Sequence, residues 1–438
     1  MKTYPSVGVQ APKILIPSEQ IDYEKWAVVA CDQFTSQPEY WHSVRKIVGD
    51  APSTYNLILP EAYLGADIEK AHASQINPKM HTYLDSGIFE EIEGFIYVER
   101  QFGNLIRKGL VLALDLEQYD YSSGSHSLIR ATEGTIIDRL PPRVKIRKDA
   151  LIEIPHILVL IDDPDQTVIE PIMHSAEGVK SLYNFQLMQN SGAIRGFQIT
   201  SPSLEKQIIH ALKELKSKEI QPNKYKTENN TPPLLFAVGD GNHSLATAKA
   251  IWEEIKNSVP NDHPSRYALV EIVNLHDESL EFEPIHRLVL GCEDDWLTQI
   301  NAYFDGKIVF EKAPDFPTLV NKVNRNQSST QMFGAFDVNG FWAGNIHNPN
   351  HSLTVGSIQN CLDDLVKNDH IKGVDYIHGN EALLKLGTEK GNSGIYLSSI
   401  QKDSFFQSII KEGTLPRKTF SMGEAHQKRF YLECRKIK

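Results

Sequence analysis

Pro232-Pro233-Leu234-Leu235-Phe236-Ala237-Val238-Gly239-Asp240-Gly241-Asn242-His243-Ser244-Leu245-Ala246-Thr247-Ala248 is the stretch on which the fold turns. The proline pair stops whatever precedes it, and Leu234 to Val238 is an unbroken apolar run of strand length. After the turn, Leu245, Ala248, Trp252 and Ile255 recur at helical spacing, while Lys249, Glu253, Glu254 and Lys256 lie off that stripe. Strand, glycine turn and helix in succession predict an α/β fold.

Two glycines in the turn permit backbone angles closed to other residues, so successive N–H groups can converge on one concavity. The start of the following helix adds about half a positive charge, which makes phosphate the favoured guest. A purely architectural reading has the glycines make a tight turn, Asn242 or Ser244 cap the helix, and Asp240 stabilise its first turn. Asp240 fits that reading poorly if it lines the concavity, because a carboxylate repels phosphate unless it holds a metal ion or takes a proton. A Walker loop is excluded, since no Gly-Lys-Ser or Gly-Lys-Thr ends the turn. A dinucleotide fingerprint would want glycine at Ser244 and an acidic residue about 20 positions on; Asp262 has that spacing in a polar loop, and Asp277 comes late.

Working outward, strand-like runs occupy Trp26 to Ala30, Phe95 to Arg100, Leu105 to Leu116, His156 to Ile161 and Tyr267 to Val273. The second and third join through Phe102-Gly103-Asn104 and predict an antiparallel hairpin. Helices are expected over Met173 to Gln189, over Pro202 to Lys218 with Ser201 as cap, and over His243 to Lys256; Lys218 to Pro233 reads as an exposed loop. Beyond residue 290 come helical Asp294 to Phe304 and Asp315 to Asn324 and strand-like Gln331 to Asp337 and Phe341 to Ile346; the region closes with Gly373 to His378, helical Ser404 to Glu412, and a last strand near Phe430 to Arg435. At 438 residues the chain is too long for one ordinary core. The expected organisation is an α/β region over 1–290, with mixed sheets, and a smaller α+β domain over 291–438.

Asp plus Glu number 56 against 45 Lys plus Arg, a net charge of −11, which argues against a surface made for nucleic-acid phosphates. The basic residues gathered in Arg139, Arg143, Lys145, Arg147 and Lys148 read as a solvated face. Met1 to Gln20 holds Pro5, Pro12, Pro17 and scattered charges, unlike a signal peptide, and no apolar run approaches the ~20 residues that span a bilayer. Cys31, Cys292, Cys361 and Cys434 lie far apart, which fits reduced thiols better than a zinc cage. A cytoplasmic protein with a small-molecule substrate, and with neither membrane nor nucleic acid as partner, is the expectation; a homodimer is compatible with it.

The turn and its helix resemble the Asp-Gly-His-His-Arg motif of the bacterial and archaeal family called domain of unknown function 1015. Trp26 to Phe34, with Ala30-Cys31-Asp32, resembles that family's Pro-Tyr-Asp opening, and Asn56-Leu57-Ile58-Leu59-Pro60-Glu61 resembles its next landmark. Thr132-Glu133-Gly134-Thr135 with Asp138-Arg139 is similar to its His-Glu-x-Thr and Asp-Arg segment. Glu283-Pro284-Ile285-His286-Arg287 is similar to its Pro-Thr-His-Arg, and Leu415-Pro416-Arg417-Lys418-Thr419 to its Pro-Lys-Ser-Thr. The landmarks keep their order across nearly the whole chain. Three positions depart from the pattern: Ser244 stands for arginine, Asn242 for the first histidine, and Thr132 for the histidine before Glu133.

The resemblance implies a core like that of the ParB and sulfiredoxin superfamily, which includes nucleotide hydrolases and a kinase of free serine. It thereby implies a nucleotide, ATP or ADP, on the turn, with Mg2+ and a small hydroxylated acceptor. The N–H groups of Gly239 and Gly241 and the Ser244 hydroxyl would hold phosphate, with Asn242 and Thr135 beside them. Arg139 or Arg287 would supply a fixed positive fork, with His286 adjacent. Glu133 or Asp240 would act as base or hold magnesium, and His243 would shuttle a proton. Two other functions stay open: a non-catalytic nucleotide or metabolite sensor, and a dinucleotide-dependent oxidoreductase.

Overall fold

A computed structural model describes the chain except at residues 123, 135–139, 175–177, 218–219, 293–294, 326–329, 348, 350 and 417, and except the side chains of 140–142. The contacts divide it into two units, one formed by Met1–Leu280 with Gly423–Lys438, the other by Glu281–Met422. Residue 290, where the sequence suggested the division, ends the strand Phe282–Leu290 of the second unit, and the final residues return to the first.

The first unit is built on an eleven-stranded mixed sheet among the described residues. Leu105–Asp115 shows why it has two cores. Leu110, Leu112 and Leu114 enter one apolar cluster while Val111 enters the other, as the two-residue period of a strand covered on both faces requires. The expected hairpin is present: Ile96–Phe102 pairs antiparallel with Leu105–Asp115, and Gly103 turns at φ 57°. Tyr267–Asn274 follows, antiparallel to Leu105–Asp115 and parallel to Leu158–Ile161. Next come Phe236–Asp240, antiparallel to Leu158–Ile161, and Ile129–Ala131, parallel to Phe236–Asp240. The helix Asn242–Ile255 buries Leu245, Ala248 and Trp252 against this sheet, as its stripe predicts.

Two local expectations need correction. Within the helix expected over Met173 to Gln189, Val179–Gln186 is a strand paired antiparallel with Ala193–Ile199. Leu182, Tyr183 and Phe185 satisfy either period, and the partner strand decides. A Cβ at Gly196 would lie 2.1 Å from Tyr183 Cζ, so that glycine leaves room for the ring. The loop expected over Lys218 to Pro233 contains a helix, Gln221–Tyr225, with Gln221, Pro222 and Tyr225 buried. The Gln221 amide acts there as a substitute strand partner, accepting from Leu234 N–H at 3.0 Å and donating to Leu234 O at 2.7 Å.

The second unit is a wholly antiparallel sheet of seven described strands. Its strands Phe282–Leu290 and Phe420–Met422 pair Phe282 with Met422, so the chain enters and leaves this unit side by side. The helix Thr354–Lys367 places Val355, Ile358, Leu362 and Leu365 on one face of the sheet, and Phe316, Leu319 and Val323 cover the other. Among the described residues, no helix is long and apolar enough to cross a membrane.

Candidate functional site

Asp240 ends the strand Phe236–Asp240, and Gly241, at φ 78°, is the N-cap of the helix Asn242–Ile255. A Cβ at Gly241 would stand 3.0 Å from the Ile157 Cα, so both conformation and space require glycine. No side chain caps this helix, which corrects the capping role considered for Asn242 or Ser244. Asp240 does bind the turn, its Oδ1 accepting from Gly241 N–H at 3.0 Å. Asn242 Oδ1 is buried with no hydrogen-bond partner among the described residues. Leaving such an atom dry costs about 1–3 kcal/mol unless a donor reaches it.

The second Asp240 oxygen lies 3.3 Å from Lys428 Nζ, and both side chains are largely buried. Lys428 also acts on Asp32, which sits just past the short strand Val28–Val29. Burial opposes the charge of Asp32, but His156, the Gln33 amide at 2.9 Å and Lys428 together hold its carboxyl below the usual range. His156 Nε2 is 4.0 Å from Asp32 Oδ2, and its Nδ1 is 3.0 Å from the Tyr431 hydroxyl. That hydroxyl accepts from Cys31 N–H at 3.2 Å. Burial, followed by the neighbouring Asp32, pushes the Cys31 thiol up to about 12, so it is no nucleophile near neutrality.

Of these groups Cys31, His156 and Tyr431 border a cleft of about 860 Å³, part of it open to solvent, while Asp32, Asp240 and Lys428 stand behind its lining. Leu57, Ile58, Leu59, Met80 and Ile146 give it an aliphatic wall, while Cys31, His156, Tyr431, Ser244 and Thr247 give it a polar end. Arg143 and Arg147, expected on a solvated face, line it instead, paired with Glu61 and Glu153. Such a cleft, mostly apolar with a few converging polar groups, is the usual form of a small-molecule site.

Of the residues marked in the sequence, Gly239, Asp240, Gly241, Asn242, His243 and Ser244 stand together on the bend. Glu133, half-buried, comes two residues after Ala131, the parallel partner of Val238 and the last residue of its strand. Thr132 ties the two strands there, donating to Val238 O at 2.6 Å. Thr135 and Arg139 lie outside the described residues. His286 and Arg287 belong to the second unit. There His286 stacks on Tyr396 and reaches Asn380 Oδ1 at 3.1 Å, while Arg287 donates to Gln359 at 2.8 Å and lies over Tyr376.

Sequence reading passed over Asp32, His156, Lys428 and Tyr431. Asp32 stood inside a quoted landmark without a role, and Pro155-His156 abuts a strand, a weak signal. Lys428 and Tyr431 offer no local signal, since their partners are hundreds of residues away. No group of three or more His, Cys, Asp or Glu able to hold a metal ion occurs among the described residues.

A family model described as "Protein of unknown function (DUF1015)" matches residues 15–365. No curated protein matches the chain in sequence. Among solved structures, a conserved hypothetical protein from Pyrococcus furiosus is similar at 9% identity and a TM-score of 0.36, covering 73% of this chain and 93% of that one. A free serine kinase in complex with AMP is similar at 9% identity and 0.39, covering 75% and 92%. SbnI with a C-terminal truncation, from Staphylococcus aureus, is similar at 8% and 0.36, covering 72% and 83%.

Proposed function

The chain belongs to the DUF1015 family of proteins of unknown function, and on that premise we propose that it is a nucleotide-dependent phosphotransferase acting on a small hydroxylated molecule. The observation that carries this reading is the meeting, within one unit, of the Gly241 bend, the Asp240–Lys428 pair and the Asp32–His156 pair. Phosphoryl transfer requires a cradle for phosphate, a cation and a group that takes the proton of the attacking oxygen. The bend, with Gly239, Asn242, His243 and Ser244, is the cradle of a ParB-like and sulfiredoxin-like core. Lys428 is the cation, acting through the Asp240 carboxylate it pairs with, and Asp32 the base. Glu133, just past the strand Ile129–Ala131, and Asp240, at the end of its parallel neighbour, are the carboxylates toward which a nucleotide would bring Mg2+, an ion that usually takes one or two protein carboxylates and completes its shell with phosphate oxygens and water. The acceptor lies in the cleft, and the reaction is cytoplasmic.

One observation favours a second reading, a nucleotide sensor: Asp240 already has Lys428 as its counter-ion. A thermal-shift panel of ATP, ADP, CTP, NAD and free amino acids, with and without magnesium, separates the two. A ligand at 100 times its Kd raises stability by about 2.7 kcal/mol. For a transferase, ATP with magnesium stabilises the protein, and Asp240→Asn with Glu133→Gln abolishes turnover. Stabilisation that survives both substitutions, in a parent without turnover, supports the sensor. If no nucleotide stabilises the protein, both readings fail.

A further inference from the structure

Gly423–Lys438 lies beyond the residues matched by the family model and forms a strap across the first unit. It is held firmly. Phe430–Tyr431 pairs antiparallel with Val28–Val29, and Arg429 O accepts from Ala30 N–H at 3.0 Å, two residues before Asp32. The buried Arg429 guanidinium reaches Glu271 at 3.0 Å and Glu433 at 2.8 Å, and Arg435 reaches Glu153 at 2.7 Å. A lysine and a tyrosine flanking so anchored an arginine have little freedom of place.

The Tyr431 oxygen accepts from Cys31 N–H and keeps one proton to give, with His156 Nδ1 within its reach at 3.0 Å. With Nδ1 as acceptor, the neutral imidazole carries its proton on Nε2, the nitrogen that faces Asp32. Lys428, meanwhile, is paired with Asp240 at 3.3 Å.

We propose that the strap completes the site: Tyr431 fixes the His156 tautomer that presents Nε2–H to Asp32, and Lys428 is the cation that holds Asp240 in its working position. Both are positioning residues, and their catalytic consequence rests on the phosphotransferase reading. In that reaction the acceptor hydroxyl gives its proton to Asp32 as its lone pair forms the new O–P bond. The bridging oxygen of the nucleotide leaves with the electron pair of the old bond.

The test uses the full chain labelled with 15N-histidine. In the wild type, two-bond 1H–15N correlations show the His156 proton on Nε2, and Tyr431→Phe, which folds with a lower melting temperature because Cys31 N–H loses its acceptor, moves it wholly or partly to Nδ1. With ATP and an acceptor, Tyr431→Phe and Lys428→Met each lower kcat by about tenfold or more with little change in the KM for nucleotide, and Lys428→Arg recovers part of the loss. A Tyr431→Phe protein that keeps the wild-type tautomer, or a Lys428→Met protein with wild-type kcat, overturns the proposal. If Lys428→Met does not fold, Lys428→Arg and Tyr431→Phe still decide. If the wild-type chain turns over no nucleotide, that reading falls alone, and the tautomer comparison still rules on the strap.

Discussion

His156 and His286 are both buried histidines with a hydrogen bond to Nδ1, yet they occupy opposite kinds of surroundings. His156 borders a cleft, with an anionic Asp32 on one side and a tyrosine on the other. His286 is closed in by the Tyr396 ring, the Asn380 amide and Leu397 N–H. Desolvation pushes His286 down to about 4, reinforced by Arg287 and His378 and only partly offset by Asn380. A histidine and an arginine next to each other in sequence therefore announce nothing by themselves. What matters is whether charge and open space meet at the ring.

The comparison breaks most readily at Asp32. Asp32→Asn keeps the shape of the His156 surroundings but removes the proposed base, and should lower turnover by about 100- to 10 000-fold in a coupled ATP assay. A variant as active as the parent would put the base elsewhere. A smaller effect concerns His286. The unfolded chain takes up a proton as pH falls through 6.5, whereas the folded chain does so only near 4, so the second unit loses stability as pH falls across that window and loses no more below it. The loss is at most roughly 3 kcal/mol. Urea unfolding at several pH values, with and without His286→Gln, measures it; equal pH slopes for the two proteins would mean that His286 is not held neutral by its surroundings. Smallest is the effect at the bend. Gly241→Ala and Gly65→Ala both place alanine at positive φ, at 78° and 76°, but only the first meets backbone, at Ile157. Each should cost about 1–2 kcal/mol for the conformation, with more at Gly241. Equal costs for the two would show that the bend has room for a side chain.

The bend and its helix were legible because their signals are local: a run of five apolar residues, two glycines and a stripe at i, i+3, i+7 and i+10. The hairpin through Gly103 was legible for the same reason. Val179–Gln186 was not, because Leu182, Tyr183 and Phe185 suit a helix as well as a strand until Gly196 makes room for the tyrosine ring. Half of the candidate site was illegible on different grounds. Tyr431 meets His156 across 275 positions, and nothing near either residue foretells the contact. Lys428, flanked by Gln427 and Arg429, reads as one more surface charge. Only the long-range pairing of Phe430–Tyr431 with Val28–Val29 gives it a role.

The strap also has a consequence for biosynthesis. A ribosome finishes Val28–Val29 and Glu271 long before it reaches Phe430–Tyr431 and Arg429, and the whole of Glu281–Met422 is made in between. Throughout that interval the nascent first unit carries an unpaired strand edge and a core carboxylate lacking its Arg429 counter-ion, both of which oppose closure. The first unit can thus reach its final form only after the whole of Glu281–Met422 has been made.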